Sequence, residues 1–309
     1  MDIRKLPVQQ GLVWFRLAID LGSKNPRAVF GAALLLISTL YAAVLLMALV
    51  LSLLVGGEAQ EGQPPDMKLV MLVALALAML IIFLVPILLG GLMHVIREAE
   101  AGRPVRARDI YAPLRSEHGQ KLAWLGLVQV ALAMLGGVLA IGLAGGDYWR
   151  DYMKAAEVLA QHGTPVLGEP RHPGLLFVVQ MTFNYFSSAL LLYSIPLMLF
   201  SNRGVVPALG AALRAAVRNA SANLLAAGLF IGALLVGALV AGLVASLLAV
   251  LGGLIHPAVG ALLATLVMLG FAITALVLVT GAAYLAWRDT FGDPAAPPPV
   301  PVPVHHLEA

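Results

Sequence analysis

The stretch AVFGAALLLISTLYAAVLLMALVLSLLV, residues 28–55, holds no charged side chain in 28 positions. A helix needs about 20 apolar residues to cross the hydrocarbon of a bilayer, so this run is long enough to span one and too long for the apolar core of a signal peptide. The same test along the chain finds five more runs, at about 69–96, 122–143, 174–201, 224–251 and 258–287. Composition agrees: 61% of the 309 residues are hydrophobic and 11% charged, against about 45–50% and about 25% in soluble domains. The expected fold class is all-α, a polytopic membrane helical bundle of six transmembrane helices. One integral membrane domain over residues 1–290 would be followed by a disordered Pro-rich tail at 291–309. Between the last two runs only GGLIHP, residues 252–257, remains, which predicts a tight hairpin.

Charge placement sets the expected orientation. If the N-terminus is cytoplasmic, that side carries Lys/Arg at 4, 5, 16, 24, 27, 97, 103, 106, 108, 115, 121, 203, 214, 218 and 288, while Lys68, Arg150, Lys154 and Arg171 lie opposite. Fifteen against four is the asymmetry expected of cytoplasmic loops. Trp124 and Trp287 then fall at the inner interface and Tyr148 with Trp149 at the outer one. Arg outnumbers Lys 14 to 5, and Ala, Gly and Leu dominate, a balance expected of a GC-rich bacterial genome. The expected location is the bacterial inner membrane, multi-pass, with both termini cytoplasmic.

Three short segments precede pairs of runs. In 207–221, Leu209, Leu213, Val217 and Ala220 share one helical face and Arg214, Arg218 and Ser221 the opposite one, with Pro207 suited to the first turn. Such a helix is expected to lie along a leaflet, with Arg214 and Arg218 contacting anionic lipid. Residues 9–22 carry a narrow polar stripe of Gln9, Arg16 and Asp20 and are expected to sit deeper or dock on the bundle. In RPVRARDIYAPLRS, Asp109 is a candidate N-cap of a short helix that Pro113 interrupts. Aligning FRLAIDLGSKN (15–25) with LRAAVRNASAN (213–223) matches an apolar start, a central Ala and a final Asn, and the second and fourth runs carry Pro86 and Pro196. These matches predict a threefold internal repeat of one amphipathic helix plus two spans, related about an axis normal to the membrane.

The segments KNPRAVFGAALLL, AGRPVRARDIYAPLR and ALRAAVRNASANLL resemble uncharacterised multi-pass inner-membrane proteins of proteobacteria over most of residues 8–290. The resemblance implies the topology and carries over no catalytic or binding residue.

All 16 acids and all 19 Lys/Arg lie outside the apolar runs or at their edges. Ion-coupled carriers place ionisable groups inside the membrane, so the pattern argues against that class. His94 is expected as an interfacial histidine paired with Glu98 at i+4. In the fourth run Gln180, Asn184, Ser187 and Ser188 share a face, read either as the wall of a polar cavity or as interhelical hydrogen-bond glue worth roughly 0.6 kcal/mol per contact. Gly228, Gly232 and Gly237 form a small-residue stripe suited to helix packing, first of all against the sixth span, and Gly136 with Gly137 read the same way.

The loop after the third span holds Asp147, Asp151, Glu157, His162, Glu169 and His172 without compact metal-ligand spacing, and reads as a solvated helix at about 147–161 followed by a Pro/Gly-rich link. No phosphate-binding, serine-hydrolase or dinucleotide motif occurs. With zero cysteines there is no disulfide and no thiol nucleophile. NAS at 219–221 matches a glycosylation acceptor on the wrong side of the membrane. The expected partners are the lipid bilayer and its anionic lipids, with a protein partner or a second copy beside them; no cofactor, metal or nucleic acid is expected. Two function classes stay open: a non-enzymatic membrane component that organises lipids or partner proteins, and a transporter or flippase for a lipophilic or neutral solute.

Overall fold

The computed structural model describes residues 3–60, 67–160 and 169–292. The Pro-rich tail from residue 293 and His162 of the polar loop lie outside the described residues. Among the described residues there are nine α-helices, one 3-10 helix and no strand: α1 Gln10–Lys24, α2 Pro26–Gln60, α3 Met67–Glu100, the 3-10 helix Ala107–Arg115, α4 His118–Ala144, α5 Gly146–Ala160, α6 Pro173–Phe200, α7 Val205–Arg218, α8 Ala220–Gly253 and α9 Pro257–Phe291. Six of them, α2, α3, α4, α6, α8 and α9, are long and apolar enough to cross a membrane. The protein is a multi-pass membrane protein.

Four spanning helices run past the apolar stretch by one turn, all at the same end of the bundle: α3 to Glu100, α4 from His118, α8 from Ala220 and α9 to Phe291. The extra turns bring polar groups to partners: Glu100 and Arg288 to each other, Lys121 to Asn202 and Asn223 to Tyr193. The predicted hairpin is present. α8 ends at Gly253, Pro257 opens α9, and the His256 ring accepts a hydrogen bond from the Ala258 amide at 3.1 Å as the N-cap. A Cβ on Gly260 would stand 2.3 Å from the Ala249 carbonyl oxygen, so two backbones touch at the base of that turn.

The helices form three antiparallel pairs, α2/α3, α4/α6 and α8/α9. The second members, α3, α6 and α9, contact one another around the middle of the bundle. Each short element rests on the pair that precedes it in a closed ring: the 3-10 helix on α2 and α3, α7 on α6 and α4, and α1 on α9 and α8. The placement is cyclic, one short element to each pair. Against the alignment of 15–25 with 213–223, the helix junctions are offset by one turn. The junction residues are Asn25, between α1 and α2, and Asn219, between α7 and α8, so Asn25 corresponds to Asn219 and not to Asn223. Asn223 lies inside α8, where a side-chain role replaces the capping one.

Packing is concentrated at the end where the short elements dock. There Val29, Ala32, Leu88, Leu92, Ile110, Leu122, Leu197, Ala212 and Trp287 are fully buried. Toward the far end large apolar side chains on every spanning helix face outward, as Leu243 does at 72% exposure. Lipid tails are as apolar as leucine, so in a bilayer these positions need no protein cover and close packing falls to small residues. A Cβ on Gly11 would stand 2.5 Å from the Ala222 carbonyl oxygen, where α1 crosses α8. One on Gly91 would stand 1.8 Å from the Ile110 carbonyl oxygen, where the 3-10 helix crosses α3.

Three local expectations are corrected. Pro113 lies inside a continuous 3-10 helix rather than interrupting it, and the N-cap is Arg106 rather than Asp109, whose carboxylate, three residues in, accepts from the Arg106 amide at 2.7 Å. Trp287 is no interfacial belt residue: it is fully buried, its ring 5.1 Å from that of Phe200, because α1, α3 and α6 enclose the last turns of α9. Trp124 and Trp149 are exposed.

Candidate functional site

The side-chain hydrogen bonds that join helices gather, among the described residues, at the packed end, most of them in three linked sets. Asp289 on α9 accepts from the Trp14 indole at 2.9 Å and the Gln10 amide at 2.8 Å through one oxygen, and from Arg288 at 3.0 Å through the other. Arg288 also pairs with Glu100 of α3, whose second oxygen accepts from the Tyr284 hydroxyl at 2.7 Å. Two carboxylates thus share one guanidinium, and α1, α3 and α9 are clasped where they leave the apolar zone. The Arg97 guanidinium lies over the Phe200 ring at 4.5 Å and extends the clasp to α6.

The second set is built on Asn219, which is completely buried. Its side-chain oxygen accepts from the Leu6 amide at 2.9 Å, and its amide donates to the Arg4 carbonyl at 3.0 Å and to the Thr290 hydroxyl at 3.4 Å. Arg4 in turn donates its backbone N–H to the Thr290 carbonyl at 3.0 Å. Residues 4–6 are therefore a strap across the junction of α7 with α8 and the end of α9. In the third set the Tyr193 hydroxyl donates to Asn223 at 2.8 Å, Asn223 donates to Tyr185 at 3.2 Å, and Tyr185 donates to the Ala216 carbonyl at 2.8 Å, tying α6 to α7 and α8. Ser187, Ser194 and the Trp287 indole have buried polar atoms without a partner.

These sets bond helices to one another. No three metal-ligating side chains converge among the described residues. Glu98 is engaged by Arg103 through both oxygens, and His94 acts on it only as a neighbouring charge, without a hydrogen bond between them.

The four polar residues of α6 separate. Gln180 donates to Asn184 at 3.3 Å within the helix, Asn184 and Ser188 are exposed, and the Ser187 hydroxyl is enclosed without a partner. Asn184, Ser188, Ile195 and Leu199 lie on one helical stripe. At its packed end Ile195 and Leu199 lie 3.3 and 3.7 Å from where a Cβ on Gly90 of α3 would stand. Toward the far end that contact lapses and leaves Asn184 and Ser188 uncovered.

The glycines also divide. Gly237 sits against the Phe271 ring of α9 and Gly136 against Phe183 of α6, while Gly228, Gly232 and Gly137 face open space. The expectation that Gly228 and Gly232 pack on the sixth span is therefore corrected: α9 meets a different face of α8.

Helix α7 exposes three sectors rather than two. Ala208, Ala211, Ala212, Ala215 and Ala216 are buried on the bundle, Val206, Leu213 and Val217 point outward, and Arg214 with Arg218 point outward on a third side. Helix α1 buries Gly11, Trp14, Ala18 and Leu21 and exposes Leu12 and Ile19 on one edge, but its other edge mixes Arg16, Asp20 and Lys24 with exposed Val13 and Leu17. On that mixed edge the hydrogen bond from Lys24, with a second from Ser23, holds the Asp20 carboxyl below the usual carboxylate range. The basic 3-10 helix completes the ring, with a surface basin of about 390 Å³ lined by Arg108, Asp109, Ala112 and Arg115.

Sequence reasoning missed Asn219, Asp289, Glu100 and Asn223. For Asn219 a signal existed: it is the polar residue at the break between an amphipathic helix and an apolar run. Compared with known protein families, curated proteins and solved structures, the chain matches none.

Proposed function

We propose that this is a non-enzymatic component of a bacterial inner membrane that organises lipids, and through them partner proteins, on the cytoplasmic leaflet. The observation that carries the reading is the three-sector form of α7. An alanine face docks on the bundle, an exposed Leu213/Val217 edge is suited to acyl chains, and an exposed Arg214/Arg218 edge is suited to anionic head groups. The basic end is assigned to the cytoplasm, with both termini there, by the fifteen-to-four distribution of Lys and Arg. The resemblance of KNPRAVFGAALLL and its companion segments to uncharacterised proteobacterial inner-membrane proteins supports the same placement. Each arginine near such a leaflet adds roughly 1 kcal/mol of attraction. Replacing Arg214 and Arg218 with Gln is expected to lower the amount of co-purifying anionic lipid, measured by mass spectrometry of the extracted protein; equal retention ends the proposal.

A second reading, transport of a lipophilic or neutral solute, is favoured by one observation: Asn184 and Ser188 are uncovered where α6 parts from α3. Asn184→Leu is then expected to abolish transport in reconstituted vesicles while the protein stays folded, and a change in thermal stability alone would return the stripe to a packing role.

A further inference from the structure

The 3-10 helix is held in place on one side and open on the other. Ile110 and Pro113 are buried, the Ile110 carbonyl lies directly over Gly91, and the Tyr111 hydroxyl is 2.7 Å from the Thr39 hydroxyl of α2. At three residues per turn, Asp109, Ala112 and Arg115 fall on one outward face with Arg108 alongside. Those four residues line the basin of about 390 Å³. Neither Arg108 nor Arg115 has a hydrogen-bond or ion-pair partner among the described residues. Asp109 also lines the basin, one carboxylate oxygen accepting from the Arg106 amide, and its charge offsets one of the two arginines. Ala112, small and exposed, lies on the same face.

The level of the basin is set by Trp124, 55% exposed on α4 and suited to a membrane interface. His118, the first residue of α4, lies roughly 9 Å further out along the helix at 1.5 Å per residue, and Arg115 precedes it. A tryptophan at the edge of the hydrocarbon puts Arg115 in the zone of the phospholipid phosphates. Arginine holds phosphate in a forked, charge-assisted geometry, and two unpaired guanidinium groups around a small residue provide room for its oxygens.

We propose that the basin between Arg108, Ala112 and Arg115 holds the phosphate of an anionic phospholipid from the adjacent leaflet. The site rests on the placement of this end against an anionic leaflet, but it is distinct from the α7 edge and is tested apart from it. The full chain in detergent is titrated with dioleoyl phosphatidylglycerol, and the first bound lipid is followed by native mass spectrometry. Arg108→Gln/Arg115→Gln is expected to weaken that first lipid at least about tenfold. Ala112→Leu, which keeps both charges and adds bulk at an exposed position, is expected to weaken it by a comparable factor, whereas a general attraction to basic charge would leave it unchanged. Wild-type affinity in either variant overturns the site, and displacement of the lipid by inorganic phosphate at millimolar concentration overturns its assignment to a lipid. Arg214→Gln/Arg218→Gln is run beside them. Wild-type retention in that variant alone defeats the role of α7 and leaves the basin standing.

Discussion

Asn219 is the residue whose removal has the most calculable outcome. Its side chain holds the strap of residues 4–6 by accepting from the Leu6 amide at 2.9 Å and donating to the Arg4 carbonyl at 3.0 Å, from a fully buried position. In Asn219→Ala both strap bonds are lost, and the Leu6 amide is left facing a cavity. A neutral hydrogen bond contributes about 1 kcal/mol net, and a stranded buried group adds to that, so the strap should loosen by about 2–3 kcal/mol. At 1.4 kcal/mol per decade this raises the open population roughly 30- to 150-fold. Lys5 makes the change readable, because trypsin cuts after it only when the strap has left its seat. Cleavage that tracks the open population accelerates by the same factor. Release of the N-terminal peptide, timed by mass spectrometry on the detergent-solubilised chain, is therefore expected to quicken by one to two orders of magnitude. Acceleration below about threefold would refute the assignment of Asn219 as the residue that holds the strap.

Other outcomes follow from the same packing. Gly91→Ala should sharply reduce folded yield, because the added Cβ meets the Ile110 carbonyl oxygen at 1.8 Å, whereas Gly228→Ala, facing open space, should fold like the parent; size-exclusion profiles of the pair decide it. Arg288→Met leaves Glu100 and Asp289 without their shared cation and should cost about 1–3 kcal/mol, seen as a fall in the midpoint of thermal unfolding by tryptophan fluorescence. Glu100→Gln in that background should restore part of the loss, and no recovery would separate the two groups energetically.

The six spans are legible because crossing a membrane constrains the sequence one residue at a time: a charge in the wrong place is costly wherever it faces. The extra turns of α3, α4, α8 and α9 are not legible, since they depend on pairings such as Arg288 with Glu100 that lie far apart in sequence. Helix α7 shows the same division. Its leucines and arginines dominate any projection, yet the face that meets α6 is alanine, because docking here rewards close backbone approach over apolar bulk. Gly228 and Gly232 show the converse: a small-residue motif marks a surface that can be approached, and only the fold decides whether α9 does so. Of the candidate polar face, the spacing of Asn184 and Ser188 was readable, but their exposure depends on where α6 parts from α3. The clasp of Asp289, Trp14 and Gln10 could not be read at all, because it joins the two ends of the chain.

The topology is the claim on which everything else rests, and the absence of cysteine makes it directly measurable. Single cysteines at Ser116 and Asn202, and in separate chains at Gln60 and Ala160, are probed in intact cells with a membrane-impermeant thiol reagent. The expected result is labelling at positions 60 and 160 and protection at 116 and 202 until the membrane is opened. Labelling at 116 and 202 with protection at 60 and 160 would invert the molecule and remove the basic end from the anionic leaflet.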